Sequence, residues 1–147
     1  MSKTINTLSA QRHKARHYAV QALYRWHMNK QAVTEIEAEF RIDYDFEHVD
    51  LDFFQAVLRG VVAQHNALDA YLEPLLDRPL NQLDPIELAV LRLGLFELRD
   101  RIDVPFKVVI NEAVSLAKKF GATESHKYVN GVLDKAARGL RSVEIEA

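Results

Sequence analysis

The side chains best suited to chemistry in this chain are basic, and they are concentrated near its start. No acidic residue precedes Glu35, and the residues before it include six lysines and arginines. The segment 35–52 that follows carries eight acidic residues against Arg41 alone. The net charge is only −2, yet this asymmetry is typical of a basic surface that binds a polyanion such as RNA. Ordinary solvated helix faces are the alternative, and charge placement alone leaves both interpretations open.

Residue types that could support catalysis or hold a metal are present but poorly arranged. The chain has no phosphate-binding glycine loop and no nucleophile elbow. His13 and His17 are four residues apart and could share a metal on one helix face, but no third ligand is evident. Ser125 and His126 are adjacent and therefore diverge around a helix, unlike a nucleophile and its base. We predict no enzyme activity, no metal and no cofactor.

The composition argues against disulfides, cysteine-based metal sites and membrane segments in this chain. The chain of 147 residues has no cysteine, which excludes disulfides and cysteine-based zinc sites. The start of the chain lacks the apolar run of a signal peptide. The richest apolar stretch, 88–98, is interrupted by Arg92 and Glu97 and is too short to span a bilayer. We therefore expect a cytoplasmic protein without a membrane segment.

The elements that must position the basic residues are helices. No segment shows sustained strand alternation, and apolar residues recur at helical spacing throughout. The pattern predicts an all-α fold of two packed three-helix bundles, with about six to seven helices. Residues 1–8 are expected to form a flexible N-terminal arm, 9–78 an N-terminal helical subdomain and 79–147 a C-terminal one, in one compact RNA-binding domain. Pro74 and Pro79 mark the boundary between the two halves.

Capping signals predict where the helices of each half begin and end. In the first half, Ser9 is expected to cap a helix reaching about Asn29, Thr34 to open a capping box, and a third helix to span about 47–72. In the second half, Asp84-Pro85 begins a helix to about Asp100 that is apolar on nearly every side. Gly94 within it is expected to permit close backbone packing. A further helix begins at Pro105 and ends at a left-handed Gly121. Thr123 is expected to cap the last helix, to about Arg141, and Asn130-Gly131 lies inside it because its flanks keep helical period.

Two tyrosines that fall outside the predicted core strengthen the interpretation as an RNA-binding surface. Tyr24 shares an arc of the first helix with His13 and Arg16, and Tyr128 lies about 100° from the centre of the buried stripe of the last helix. Cations for phosphate and a ring for stacking are what RNA binding requires. The pattern leaves an alternative open for each: Tyr24 packs at a seam between helices, and Tyr128 lies at the rim of the core with its hydroxyl reaching solvent.

Several runs of sequence resemble the NusB family. They are ARHYAVQALY (15–24), NEAVSLAKKFG (111–121) and HKYVNGVLDK (126–135), supported by Ala89–Arg92 and Asp103–Pro105. Matches extend from about residue 12 to 137 in the family's order, so that together they are highly specific. The resemblance implies a non-enzymatic transcription antitermination factor with an N-terminal and a C-terminal helical bundle.

The resemblance also implies partners and site residues. Proteins of this family bind the boxA element of nascent ribosomal RNA together with NusE, a small-subunit ribosomal protein, within the RNA polymerase antitermination complex. The resemblance assigns RNA binding to Arg12, His13, Lys14, Arg16, Lys127 and Tyr128. It assigns a surface for either RNA or NusE to Tyr24, Glu87, Arg92 and Glu124. His13 and Lys14 stand where relatives often have arginine, so we expect lower intrinsic RNA affinity and more reliance on the partner.

Other functions remain as alternatives at this stage. NusB-like domains also precede certain rRNA methyltransferases, but this chain shows no cofactor-binding βαβ unit. A helper of rRNA maturation that binds RNA, or a protein-only adaptor that uses the acidic segment, is also compatible with the sequence. A homodimer is possible, and it would decide whether the first helix is accessible to RNA.

Overall fold

The first half of the chain forms three helices in the computed structural model, which describes residues 7–147. They are α1 (Leu8–Asn29), α2 (Val33–Asp43) and α3 (Leu51–Leu72). A 3₁₀ turn at Glu73–Leu75 and another at Leu80–Gln82 then connect α3 to the second half. The predicted subdomain boundary at 78/79 falls in this connection and stays a prediction.

The second half forms four helices. They are α4 (Pro85–Asp100), α5 (Phe106–Phe120), α6 (Ser125–Leu140) and the short α7 (Ser142–Glu146). Residues 7–147 contain no strand, and the predicted all-α fold is confirmed. Asn130 and Gly131 lie inside α6, as their flanking periodicity predicted.

Helix α1 begins earlier than expected. The side chain of Thr7, not Ser9, accepts a hydrogen bond from the backbone N–H of Ala10 at 3.1 Å. Two residues assigned to the flexible arm, Thr7 and Leu8, therefore belong to the cap and first turn of α1. The rest of that predicted arm, 1–6, lies outside the described residues.

The two other predicted starts in the first half are also corrected. Helix α2 begins at Val33 after Ala32 and has no side-chain cap, so Thr34 opens no capping box. Helix α3 begins at Leu51, because the carboxylate of Asp50 accepts from the N–H of Phe53 at 2.9 Å and fixes the first turn there. In the segment before α3, the ring of Phe46 instead stacks on the ring of Tyr18, with the centroids 5.0 Å apart.

The connection between α5 and α6 differs from the predicted caps. Gly121 is extended, with φ −93° and ψ 178°, rather than left-handed. A glycine is needed there because a Cβ would lie 2.8 Å from the carbonyl oxygen of Ala117. Thr123 does not cap α6, which starts after Glu124 without a side-chain cap.

Helix α4 lies at the centre of the fold. It packs against α1, α3, α5 and α6, and its residues 87–98 are all buried. Gly94 permits the close approach of α6, since a Cβ there would lie 2.6 Å from Cδ1 of Leu133. At its C-terminus the Arg141 guanidinium donates to the carbonyl oxygens of Leu98 at 2.7 Å and Glu97 at 3.1 Å. Because α1 contacts helices of both halves, one continuous core holds the α1 side chains in place.

Candidate nucleic-acid interface

The N-terminal half of α1 presents cations of very different accessibility. Lys14 is exposed and, within residues 7–147, has no carboxylate within 4 Å. His13 is half-buried, and its Nδ1 lies 2.8 Å from Oε1 of Glu112 on α5. Arg12 reaches Asp50 at 3.3 Å and Asp103 at 3.2 Å, so its charge is already balanced by the protein. Lys14 is thus the predicted α1 residue most available to a phosphate.

Arg16 lies in the interior, although the sequence assigned it to the RNA surface. Its Nε and Nη2 donate to the two carboxylate oxygens of Glu97 at 2.8 and 2.7 Å, and only 3% of its side chain is exposed. The guanidinium also lies 4.7 Å from the centroid of the Phe53 ring. As an RNA contact Arg16 stays a prediction, and its observed contacts join α1 to α3 and α4.

A groove of about 460 Å³ runs between α1 and the C-terminal end of α5. We call it the α1–α5 groove; it is lined by His13, Lys14, His17, Tyr18, Gln21, Lys119 and Phe120. The ring centroids of His13 and His17 are 4.5 Å apart. The rings of His17 and Phe120 meet edge to face, with their centroids 5.6 Å apart. Among residues 7–147, no carboxylate lines the groove, so its formal charge comes from Lys14 on α1 and Lys119 on α5.

His17 contributes a neutral ring to this groove. Burial, then the neighbouring charges of His13 and Lys119, lower the pKa of His17 to about 4, although Glu112 opposes the shift. Its Nε2 is buried without a hydrogen-bond partner among the described residues. At neutral pH the groove therefore combines the uncharged ring of His17 with the ammonium groups of Lys14 and Lys119.

Tyr24 lies farther along α1, beside a second depression. It is 36% exposed and lines a cavity of about 320 Å³ between α1, α2 and the start of α4, together with Arg25, Phe40, Tyr44 and Ile86. Its ring is open to solvent on one side, as its predicted position off the core of α1 requires. A base or a partner side chain could pack against it.

Residues at the start of α6 form an exposed patch. Lys127 and Glu124 are both largely exposed and pair at 3.3 Å, an arrangement that contributes little stability and yields readily to a ligand. Tyr128 is half-buried: the N–H of Asp77 donates to its hydroxyl at 3.2 Å, and the guanidinium carbon of Arg78 lies 4.6 Å from its ring centroid. Burial raises the pKa of Tyr128, so it remains a neutral phenol.

Glu87 and Arg92 are buried on α4, although both were assigned to an RNA or NusE surface. The Ser125 hydroxyl donates to Oε2 of Glu87 at 2.6 Å, which ties the start of α6 to the start of α4. Arg92 makes two hydrogen bonds to Asp69 on α3, at 2.8 and 2.7 Å. Their observed contacts connect helices, and the assignment of either residue to a partner stays a prediction.

The structure thus groups five of the predicted residues into two surfaces, while Tyr24 lies beside a separate depression and Arg12 is paired with Asp50 and Asp103. His13 and Lys14 belong to the α1–α5 groove, and Glu124, Lys127 and Tyr128 to the patch on α6. The sequence-based assignment of site residues did not include His17, Lys119 and Phe120 in the groove or Arg78 beside Tyr128. Nothing in the sequence shows that α5 ends beside α1, so the sequence gives no reason to group Lys119 with the cations of α1.

Within residues 7–147, no three histidine, cysteine or acidic side chains are grouped closely enough to hold a metal ion. In the same range no helix combines the length and the apolar character needed to cross a membrane.

Comparison with known proteins gives consistent matches along almost the whole chain. The model of the NusB family matches residues 13–138. Transcription antitermination protein NusB of Idiomarina loihiensis is 56% identical over 132 residues, which cover 90% of this chain and 95% of the relative. The protein of the same name in Acinetobacter baylyi is 51% identical over 144 residues, covering 98% and 97%.

Solved structures show the same arrangement of helices. NusB of T. maritima superposes with a TM-score of 0.81 at 27% identity, covering 92% of this chain and 96% of the other. A chain from a crystal structure of antitermination factors NusB and NusE in complex with dsRNA gives a TM-score of 0.71 at 25% identity, with 86% and 96% covered.

Proposed function

Because this chain belongs to the NusB family, we propose that it is a transcription antitermination factor that binds RNA together with NusE. Similar proteins are named transcription antitermination protein NusB, and one similar solved structure contains NusB and NusE in complex with dsRNA. The boxA element of ribosomal RNA transcripts is the target that we propose, and NusE-assisted binding supports transcription of those operons by RNA polymerase.

The observation that carries the RNA-binding part is the exposed Lys14 beside an aromatic groove without acidic lining. Phosphate contacts supply most of the affinity of such interfaces, and rings supply stacking surface for unpaired bases. Lys14 and His13 would meet the backbone on α1, whereas Arg12 would first have to exchange its carboxylate partners for a phosphate.

The patch on α6 provides a second contact in this proposal. Lys127 would exchange its exposed pairing with Glu124 for a phosphate, and Tyr128 would offer the edge of its ring. Tyr24, beside the depression between α1, α2 and the start of α4, is suited to the RNA or to NusE. Arg16, Glu87 and Arg92 would act by holding α1, α3, α4 and α6 in register beneath both surfaces.

The proposed activity is binding rather than catalysis. The arrangement of the exposed side chains offers contacts to phosphates and bases, and assembly on a nascent transcript requires nothing more of this chain. Action on nascent transcripts would place the protein in the cytoplasm. We further propose that the RNA-binding form leaves α1 accessible, whether or not a homodimer also exists.

A titration of boxA RNA, with and without NusE and against a scrambled RNA, tests the proposal. We expect specific binding that NusE strengthens, and a steep loss of affinity as salt rises. Lys14→Ala should weaken binding, whereas Lys107→Ala, at the opposite end of α5 from the groove, should not. Equal binding of boxA and scrambled RNA in the presence of NusE would contradict the proposal. Unchanged affinity of Lys14→Ala would contradict the assigned surface.

A further inference from the structure

The α1–α5 groove has the features of a site for one nucleotide rather than for a helix or a peptide. Its volume of about 460 Å³ lies at the lower end of the range for small-ligand cavities, about 300–1,000 Å³. An RNA duplex presents no unstacked base to such a depression, whereas single strands present bases that can be splayed out. The size of the groove therefore favours an unpaired nucleotide.

The charge of the groove fits a phosphodiester. Lys14 comes from α1 and Lys119 from α5, both are exposed, and neither has a carboxylate within 4 Å in the described range. The nearest acid behind the groove, Glu112, is occupied by His13 at 2.8 Å and lies 3.6 Å from Arg16. Two ammonium groups without protein counter-ions thus flank the cavity from opposite walls.

The rings of the groove fit a base. Phe120 and His17 meet edge to face, and the Lys119 ammonium lies 5.7 Å from the centroid of the Phe120 ring. Gln21 donates from Nε2 to the His17 carbonyl at 3.0 Å, which orients the side chain and leaves its Oε1 as an acceptor in the lining. An aromatic wall with one oriented amide is a common arrangement for holding an unstacked base.

We infer that the α1–α5 groove binds one unpaired nucleotide of the RNA, with its phosphates on Lys14 and Lys119 and its base against His17 and Phe120. The inference rests on the proposed function, because it assumes that the chain binds single-stranded RNA. It adds α5 to an interface that the sequence assigned only to α1, α4 and α6. It also gives Lys119 a role distinct from that of its neighbour Lys118.

Adjacent lysines on α5 provide a matched test. Lys118 and Lys119 are both exposed, but only Lys119 lines the groove. We would measure binding of fluorescein-labelled single-stranded boxA RNA by anisotropy, with NusE present, for Lys119→Gln and Lys118→Gln. Loss of one phosphate contact should weaken binding about fivefold at 0.1 M salt and lower the salt slope by about 0.7. Lys118→Gln should bind like the unchanged protein.

Cross-linking then locates the base. RNAs with 5-iodouridine at successive positions should, at one position, cross-link to the peptides that contain His17 and Phe120. Annealing the RNA to its complement should abolish that cross-link. Equal affinities of the two lysine variants, or cross-links confined to α6, would overturn the inference while leaving RNA binding intact. Absence of RNA binding by the unchanged protein would overturn the proposed function and this inference together.

Discussion

At the scale of single residues, the basic side chains of α1 differ in exposure and in the contacts that they make. Lys14 is exposed, while Arg16, two positions later, is buried and makes two hydrogen bonds to Glu97. A buried ion pair adds little stability compared with apolar packing, but losing one partner leaves the other charge without compensation. Cations two positions apart on the same helix therefore differ in availability: the Lys14 ammonium is open to a ligand, whereas the Arg16 guanidinium is engaged by the fold.

Replacing Arg16 tests this division. Arg16→Ala should lower the free energy of unfolding by about 3–5 kcal/mol, because it leaves the Glu97 carboxylate buried and unpaired. Arg25→Ala removes the exposed pair with Glu39 and should cost at most about 1 kcal/mol. Urea denaturation measures both, and similar values would contradict a structural role for Arg16.

The double variant Arg16→Met with Glu97→Leu separates folding from binding. Apolar replacement of both partners should restore most of the stability that Arg16→Ala loses. If Arg16 only holds the helices together, this variant should bind boxA RNA with nearly unchanged affinity. A large loss of RNA affinity in this stable variant would show that Arg16 itself contacts RNA.

At the scale of helices, the contact between α4 and α6 depends on small residues. Gly94 lies where a Cβ would meet Leu133, whereas nothing lies within 4 Å of a Cβ added at Gly131 on α6. Both glycines are inside helices, where glycine is less favourable than alanine by about 0.8–1.0 kcal/mol. Their different surroundings predict opposite effects of the same substitution.

Alanine at these two glycines should change the free energy of unfolding in opposite directions. Gly131→Ala should raise the free energy of unfolding by up to about 1 kcal/mol, since it gains helix propensity and meets no neighbour. Gly94→Ala should lower it by about 1–3 kcal/mol, because Leu133 must move in a packed core. Thermal and urea unfolding of the two variants check this, and a stabilised Gly94→Ala would show that α4 and α6 are not in close contact.

At the scale of the whole molecule, burial of a titratable ring makes stability depend on pH. The pKa of His17 is lowered to about 4 in the folded protein, first by desolvation and then by His13 and Lys119. The unfolded chain therefore binds more protons at that position between about pH 6.5 and pH 4. The stability that the neutral His17 ring contributes is therefore fully present above pH 6.5 and is lost as the pH falls towards 4.

Unfolding at pH 7 and pH 5 measures this effect. Because solvent screens a half-exposed ring, we expect His17 to account for a loss of about 1 kcal/mol between these values. The variant His17→Phe should reduce the loss by that amount. The pKa of Asp103 is lowered to about 2, chiefly by the Arg101 guanidinium, so this carboxylate changes the stability only in more acidic solution. An identical pH dependence in both proteins would contradict the role of His17.

Local signals in the sequence determined the helices and the type of function. Periodicity placed all of the main helices, and Asp84-Pro85 fixed the start of α4, where the Asp84 carboxylate accepts from the N–H of Ile86 at 2.8 Å. The predicted starts of α1 and α3, the caps at Thr34 and Thr123 and the conformation of Gly121 were wrong by a few residues or one local conformation. Neighbouring residues compete to cap a helix, and tertiary contacts select among them. The family motifs by themselves pointed to RNA.

Tertiary structure alone decided which charged residues are accessible. Sequence period shows that Arg16 and Lys14 face different directions on α1, but not that Glu97 on α4 lies opposite Arg16. Likewise, the basic start of α1 was visible in the sequence, whereas its meeting with Lys119 and Phe120 depends on the packing of α5, about a hundred residues away. Helix formation is governed by local interactions, but a binding surface is assembled from residues that only the packing of the core brings together.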